Sequence, residues 1–345
     1  MGLKWVRLCV LASALAAWTW DGPRAEDALP DDGASVIMYH RFGEEEFAST
    51  NTTLKQLDAH IAELTNGSYA VMALPDMVSV LRTGSGFPKK AVGLSIDDAY
   101  LSVYTEAWPR LRKAGVPFTV FVATEPVDKG YAHYMSWDQI REMAKDPLVT
   151  IGSQTATHPH MIDNSAEINA AELDSSNRRF FDELGKTPEL IAYPFGEYDG
   201  AVIQAAKQAG FIAGFGQHSG AFGVGDDIYA LPRFAMNEQY GDIERLRLSA
   251  GALPMAVEDF LPANTVVSPR DNPPAVGFTV TPALERPEDV ACFSNHEGRL
   301  NLERIGPRFE VRMTTPLPQG RTRINCTAPA RDGRWRWLGR MFYVK

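Results

Sequence analysis

The sequence predicts an α/β fold: a parallel sheet curled by about seven strand–helix units, followed by a small all-β domain of sandwich type. Three observations carry this. From Val36 to roughly Ala250, apolar runs of strand length alternate with amphipathic helical patterns, the arrangement of a parallel sheet with helices outside it. The residues able to do chemistry stand at the C-terminal ends of those runs: His40, Asp97-Asp98, Gln154 to His160, the Pro194-Phe195-Gly196 turn and Gln217-His218. Near residue 251 the texture changes. Pro254, Pro262, Pro269 and Pro273-Pro274 fall in a stretch without helical period, which reads as a linker or domain entry.

Taken in order, residues 1–25 form a class of their own. Lys4 and Arg7 precede the apolar run Leu8–Trp20, and small residues with Pro23 lead into polar sequence. This is the pattern of a secretory signal peptide, with Ala25 a candidate cleavage point and an uncleaved anchor the alternative. Residues 30–250 form the main domain. Its strands are expected at 36–39, 69–74, 91–96, 118–123, 148–152, 190–193 and 211–215. A helix carries Leu54, Leu57, Ile61 and Leu64 behind the capping cluster Asn51-Thr52-Thr53, and others span 136–145, 167–184, 199–209 and 242–250. Residues 251–274 are expected as linker and 275–345 as the β-domain, its role unassigned. Short alternating segments at 275–280, 289–293, 299–304, 308–313, 322–328 and 335–344 supply its strands. Trp335 and Trp337 share a strand face, expected to be core, with an aromatic sugar platform as the alternative.

The 345 residues, 45% hydrophobic and 22% charged, are ample for one large core and a small one. The formal charge is −9, or −11 once residues 1–25 leave. An acidic chain without a basic cluster is not built to hold nucleic acid by bulk attraction. No stretch beyond the signal is apolar enough to span a membrane, so an exported protein, periplasmic or extracellular, is expected. Cys9 leaves with the signal. Cys292 and Cys326 remain as one disulfide or as two buried thiols.

The chemistry centres on residues 91–104, AVGLSIDDAYLSVY. An apolar strand ends in Asp97 and Asp98, and neighbouring strand side chains point to opposite faces. Two separate roles are natural, one carboxylate binding a cation and the other staying free to accept a proton. Capping of the following helix is the plainer alternative. The segment 151–161 adds Gln154, His158 and His160, and 192–199 adds a tight turn able to present a backbone N–H to a substrate oxygen.

Together these motifs resemble the polysaccharide deacetylases of the NodB-homology type, carbohydrate esterase family 4. Ser95-Ile96-Asp97-Asp98-Ala99 looks like the family's Thr-Phe-Asp-Asp-Gly. Gln154 to Pro159 looks like His-Ser/Thr-x-x-His-Pro, and Ala192 to Gly196 looks like Arg-x-Pro-Tyr-Gly. The resemblance covers roughly residues 34–250. Met38-Tyr39-His40 and Tyr193 to Asp199 resemble the exported branch that acts on biofilm polymers. It implies a distorted (β/α)7 barrel and one divalent metal ion, zinc in most of the family. It further implies Asp98 and His158 as metal ligands, Asp97 as general base and the Phe195 amide as oxyanion donor. His218 is the candidate general acid by its position after a late strand. Tyr193, His40 and His160 are candidate substrate contacts.

Two departures stand out. Gln154 replaces the first metal histidine, and a neutral carboxamide is a poorer zinc ligand, which shifts preference toward magnesium- or manganese-like ions. Ala192 replaces an arginine that orients the base, which leaves the setting of Asp97 open. The sequence therefore predicts a metal-dependent deacetylase of an N-acetylhexosamine polymer or oligomer. The rival is an inactive relative that keeps the groove as a carbohydrate-binding or scaffold protein.

Overall fold

The computed structural model describes residues 33–345 together with Met1 and Gly2; the expected signal peptide, its cleavage point and Cys9 lie outside the described residues. The main sheet is built from β1 (Gly33–Tyr39), β2 (Ala70–Met72), β3 (Ala91–Asp97), β4 (Phe118–Val122), β5 (Val149–Ser153), β6 (Leu190–Ala192), β7 (Ala213–Phe215), β8 (Ala221–Gly223) and β9 (Phe234–Ala235). Its order is β8-β1-β3-β4-β5-β6-β7, with β2 beside β3 and β9 beside β1. All seven expected strands are present, and their interiors are apolar because helices cover the sheet outside. The ends of the sheet meet through the segment after β8. Leu231 bridges Phe215 of β7, and three residues on Phe234 pairs with Ile37 of β1. This short segment closes the barrel.

The helices follow the predicted periodicity. In α1 (Leu54–Thr65), Thr53 and Gln56 form a reciprocal capping box, and Leu57 and Leu64 are buried. The helix α2 (Leu74–Thr83) was not expected; the strand read over 69–74 stops at Met72. Pro75 is tolerated in the first turn, and Leu74, Met77 and Val78 give the buried stripe. The remaining long helices are α3 (Ala166–Leu184), α4 (Gly200–Gln208) and α5 (Ile243–Ala250).

The rest is a two-sheet sandwich. Its strands are β10 (Leu253–Pro254), β11 (Val257–Leu261), β12 (Val266–Val267), β13 (Val276–Val280), β14 (Ala291–Ser294), β15 (Asn301–Ile305), β16 (Arg308–Arg312), β17 (Gly320–Pro329) and β18 (Trp335–Val344). One sheet runs β10-β18-β17-β14, with β12 also on β18; the other runs β11-β13-β16-β15. Phe278, Phe309 and Val311 meet Ile324, Cys326 and Phe342 in the core between them. Residues 251–274, expected as a linker, thus contribute three strands. They are short, two of them only two residues long, and prolines at strand ends hide their pattern.

The tryptophans also depart from expectation. Trp335 is exposed. Trp337 turns away from the sandwich core and meets Phe234 of the barrel edge-on, at 5.2 Å between ring centres. At Gly339 an added Cβ would lie 1.7 Å from the Ser219 carbonyl oxygen, so only glycine admits this approach.

Cys292 and Cys326 sit at paired positions on β14 and β17 and are joined in a disulfide. Cys326→Ser is expected to lower stability by about 3 kcal/mol, as loss of a cross-link of this span does. The shift in urea midpoint of oxidised wild type against the variant measures it; equal midpoints would contradict the expectation.

Candidate active site

The strand β3 delivers Asp97 into the barrel mouth, fully buried. The chain then kinks, with φ of 74° at Asp98 and 54° at Ala99. That left-handed pair separates the two carboxylates, and it explains why glycine suits the position of Ala99, where an alanine costs about 1–2 kcal/mol. Neither aspartate serves the helix that follows. Both Asp97 oxygens are taken by Arg233, whose Nη1 and Nη2 donate to Oδ1 and Oδ2 at 2.7 and 2.8 Å. Arg233 is itself fully buried and also donates to the Gly216 carbonyl and the Ser95 hydroxyl.

Burial alone would raise the pKa of Asp97. The charge and hydrogen bonds of Arg233, with His40 and His158 nearby, outweigh it and hold the carboxyl below the usual range. Asp97 is therefore an ionised carboxylate at neutral pH. The cleft side of Oδ2 also receives Gln217 Nε2 at 3.4 Å and lies 4.0 Å from His40 Nε2. The guanidinium whose loss at Ala192 was expected to leave Asp97 unset comes instead from the barrel-closing segment. The sequence signal was present: an arginine inside the apolar run Ala230–Met236 must find a buried partner.

The loop after β5 brings in the next group. Gln154 and Thr155 are fully buried, and φ is 69° at Thr155 and 58° at His158. The loop is tied down by Thr124 N–H to the Thr155 carbonyl and Glu125 N–H to that of Ala156. His158 Nε2 stands 3.5 Å from Asp98 Oδ1, a spacing that suits two ligands of one divalent cation. The third position differs. Gln154 Oε1 accepts the Asp98 backbone N–H at 3.1 Å, and its Nε2 is buried without a partner. A carboxamide presenting its nitrogen is a donor, not a ligand. The residues fit a cation held by Asp98 and His158 with solvent completing the shell. Among the described residues no three His, Cys, Asp or Glu converge as a metal cluster.

The Pro194–Gly196 turn forms another side, with φ of 57° at Phe195. At Gly196 a Cβ would lie 2.3 Å from the Gln217 amide nitrogen, which requires glycine. The Phe195 ring is stacked on His160 at 4.0 Å and edge-on to His158 at 4.6 Å. His160 Nδ1 bonds buried Glu197 at 2.7 Å. Arg321 of β17 reaches across from the sandwich, donating to the Phe195 carbonyl at 3.1 Å and pairing with Glu197 at 3.5 Å. Two domains therefore hold one turn.

His40, Asp98, His158, Phe195 and Gln217 line a common cleft of about 590 Å³. Asp97, Gln154 and His160 do not line it but touch residues that do, and His218 and Tyr193 are not brought to it. His218 is buried behind the wall against Tyr198, its Nδ1 without a partner. Burial, then the charges of Arg340, Arg233 and Arg323, push its pKa down to about 3. Tyr193 is buried in the core, its hydroxyl donating to the Tyr229 carbonyl.

The comparisons concern the barrel and its fold. The polysaccharide deacetylase family model matches residues 84–214. A Bacillus subtilis protein, YxkH, is 27% identical over 199 residues, 57% of this chain and 69% of its own. A poly-β-1,6-N-acetyl-D-glucosamine N-deacetylase of Staphylococcus aureus is 23% identical over 247 residues, covering 63% of this chain and 83% of its own. Among solved structures, Streptococcus pyogenes deacetylase PplD matches with TM-score 0.58 at 22% identity, over 64% of this chain and 99% of that one. IcaB from Ammonifex degensii matches with TM-score 0.57 at 21% identity, over 64% and 98%. Residues 84–214 therefore match the polysaccharide deacetylase family, and the barrel around them has the fold of these deacetylase structures.

Proposed function

We propose that the protein is an exported deacetylase that hydrolyses N-acetyl groups of an N-acetylhexosamine polymer or oligomer, with residues 30–250 as the catalytic domain. The observation that carries this reading is the buried, ionised Asp97, fixed by Arg233 beside the Asp98–His158 pair and reached by the cleft residues Gln217 and His40. The Staphylococcus aureus relative named for that reaction supports the substrate class. The Cys292–Cys326 disulfide supports export, since such bonds persist in oxidising compartments, and no described helix is long and apolar enough to cross a membrane.

In this reading Asp97 Oδ2 accepts a proton from the attacking water, and Arg233 keeps the carboxylate aligned for it. The Phe195 amide donates to the developing oxyanion. The new C–O bond forms, the C–N bond breaks, and a proton passes to the leaving amine. His40 carries that last step, because it lines the cleft 4.0 Å from Asp97 while His218 does not. His160, stacked and half-exposed, meets the sugar. A divalent cation held by Asp98 and His158 would polarise the acetyl carbonyl and acidify the water; zinc is the family's usual ion.

The test separates the carboxylates. Asp97→Asn should retain bound metal and lose about 10²–10⁴ in acetate release from an N-acetylglucosamine oligomer. Asp98→Asn should lose the metal. Wild-type metal content and rate in both variants would refute the assignment. One observation favours the second reading, an inactive carbohydrate-binding relative: Gln154 stands at the motif position of the family's first metal histidine, and its amide nitrogen, buried without a partner, is a donor and not a ligand.

A further inference from the structure

The cleft carries more positive charge than deacetylation of a neutral sugar requires. Arg321 and Arg323 lie two residues apart on β17, hence on one strand face, and Arg245 comes from α5; all three line the cleft that holds His40, Asp98 and His158. Arg321 has work in hand, gripping Phe195 and Glu197. The other two do not. Among the described residues, neither Arg323 nor Arg245 has a carboxylate within ion-pair distance of its guanidinium, and Arg245 Nε is buried without any partner. Arg245 lies against two rings, its guanidinium carbon 5.3 Å from the Trp337 ring centre and 5.7 Å from that of Phe234. Burial lowers the pKa of both, and the charge of Arg321 lowers that of Arg323 further.

Gathering like charges and stripping water from them is unfavourable unless something else in the cleft offsets it. The chain as a whole has net charge −9, so bulk attraction of polyanions is absent and any anion must be met locally. A guanidinium fork matches a carboxylate or phosphate with paired, charge-assisted bonds. Hydroxyls of a neutral sugar would be served by the amides present, Asn237, Asn295 and Asn325.

We propose that Arg245 and Arg323 form an oxyanion subsite, and that the polymer acted on here carries an acidic sugar next to its N-acetylhexosamine. The small β-domain thereby selects the substrate. The inference rests on the polysaccharide reading of the cleft and gives that reading a charge.

Titration calorimetry on the full chain at low salt, without added metal, tests it. The probes are a hyaluronan hexasaccharide, which alternates glucuronate with N-acetylglucosamine, and neutral chitohexaose. N-acetylglucosamine 6-phosphate against N-acetylglucosamine forms a second arm. The hyaluronan hexamer should bind at least about 10-fold more tightly than chitohexaose, with an advantage that shrinks as salt rises. Arg323→Gln and Arg245→Gln should each remove most of it, and Arg323→Lys should keep part. A preference seen only in the second arm would assign the oxyanion to phosphate and leave the subsite standing. Equal affinity for charged and neutral probes in both arms, no binding of either anionic probe, or a preference that survives both glutamine variants would overturn it. The wild-type comparison decides even if a variant misfolds. Acetate release is scored separately: binding preference without acetate from any oligomer would sink the deacetylase reading and not the subsite.

Discussion

Arg233→Met is expected to cost about 3–5 kcal/mol in unfolding free energy, because it strands a fully buried carboxylate without its counter-charge. It should also reduce acetate release by about 10² or more, since the base loses both its orientation and its ionisation. The pH dependence gives the test its sign. In the wild type the Asp97 pKa is held below its unfolded value, so its contribution is present above the ordinary carboxylate pKa and is lost as pH falls through the folded value. In the variant burial, the largest cause, is opposed only by His40 and His158, and the folded pKa moves above the unfolded one. That form is favoured at low pH and penalised as pH rises. The stability gap between wild type and variant should therefore be widest near pH 7–8 and narrow toward pH 4. Urea unfolding across that range measures it. Adding Asp97→Leu should recover much of the stability and none of the activity. A constant gap, or an active Arg233→Met enzyme, would show that the pair is not what sets the base.

The second large effect is expected at Gln154. Gln154→His exchanges an orphaned buried amide nitrogen for an imidazole beside Asp98 and His158. It gives up the bond from the Asp98 N–H, worth about 1 kcal/mol, and removes a buried unsatisfied donor that costs about as much or more. The backbone there stays anchored through Gln154 N–H to the Val122 carbonyl. Zinc or cobalt affinity should rise about 10–1000-fold, from ligand preference. Acetate release should rise with it when metal is limiting. Arginine at Ala192, where the family motif carries one, has no part in this test, since Arg233 already supplies the guanidinium and Ala192 is fully buried. Tighter metal without turnover would leave the scaffold reading.

What the sequence made legible follows from local periodicity. Each barrel strand is a short apolar run, and the chemistry-bearing motifs follow those runs directly, so strand ends and cleft were readable together. Arg233 was legible only as a buried arginine in want of a partner; that the partner is Asp97 was not, because the two lie 136 residues apart in sequence and the Arg233 segment pairs through strands of two residues. No periodic signal survives at that length. His218 shows the limit of reading by strand end. Its neighbour Gln217 reaches Asp97, while the bend after β7 buries His218 against Tyr198. The arginines of β17 were not singled out, since nothing local says that the outer face of a small sandwich would be pressed against a barrel.

The approach at Gly339 fixes more than a distance. With Trp337 wedged on Phe234 and Arg321 gripping Phe195, the small domain cannot be exchanged like a cartridge. A graft of some other β-domain would arrive with side chains where the Ser219 carbonyl sits and would leave the Pro194–Gly196 turn without Arg321. Any exchange of the sandwich has to carry this seam along with it, since the barrel and the sandwich are matched residue by residue there.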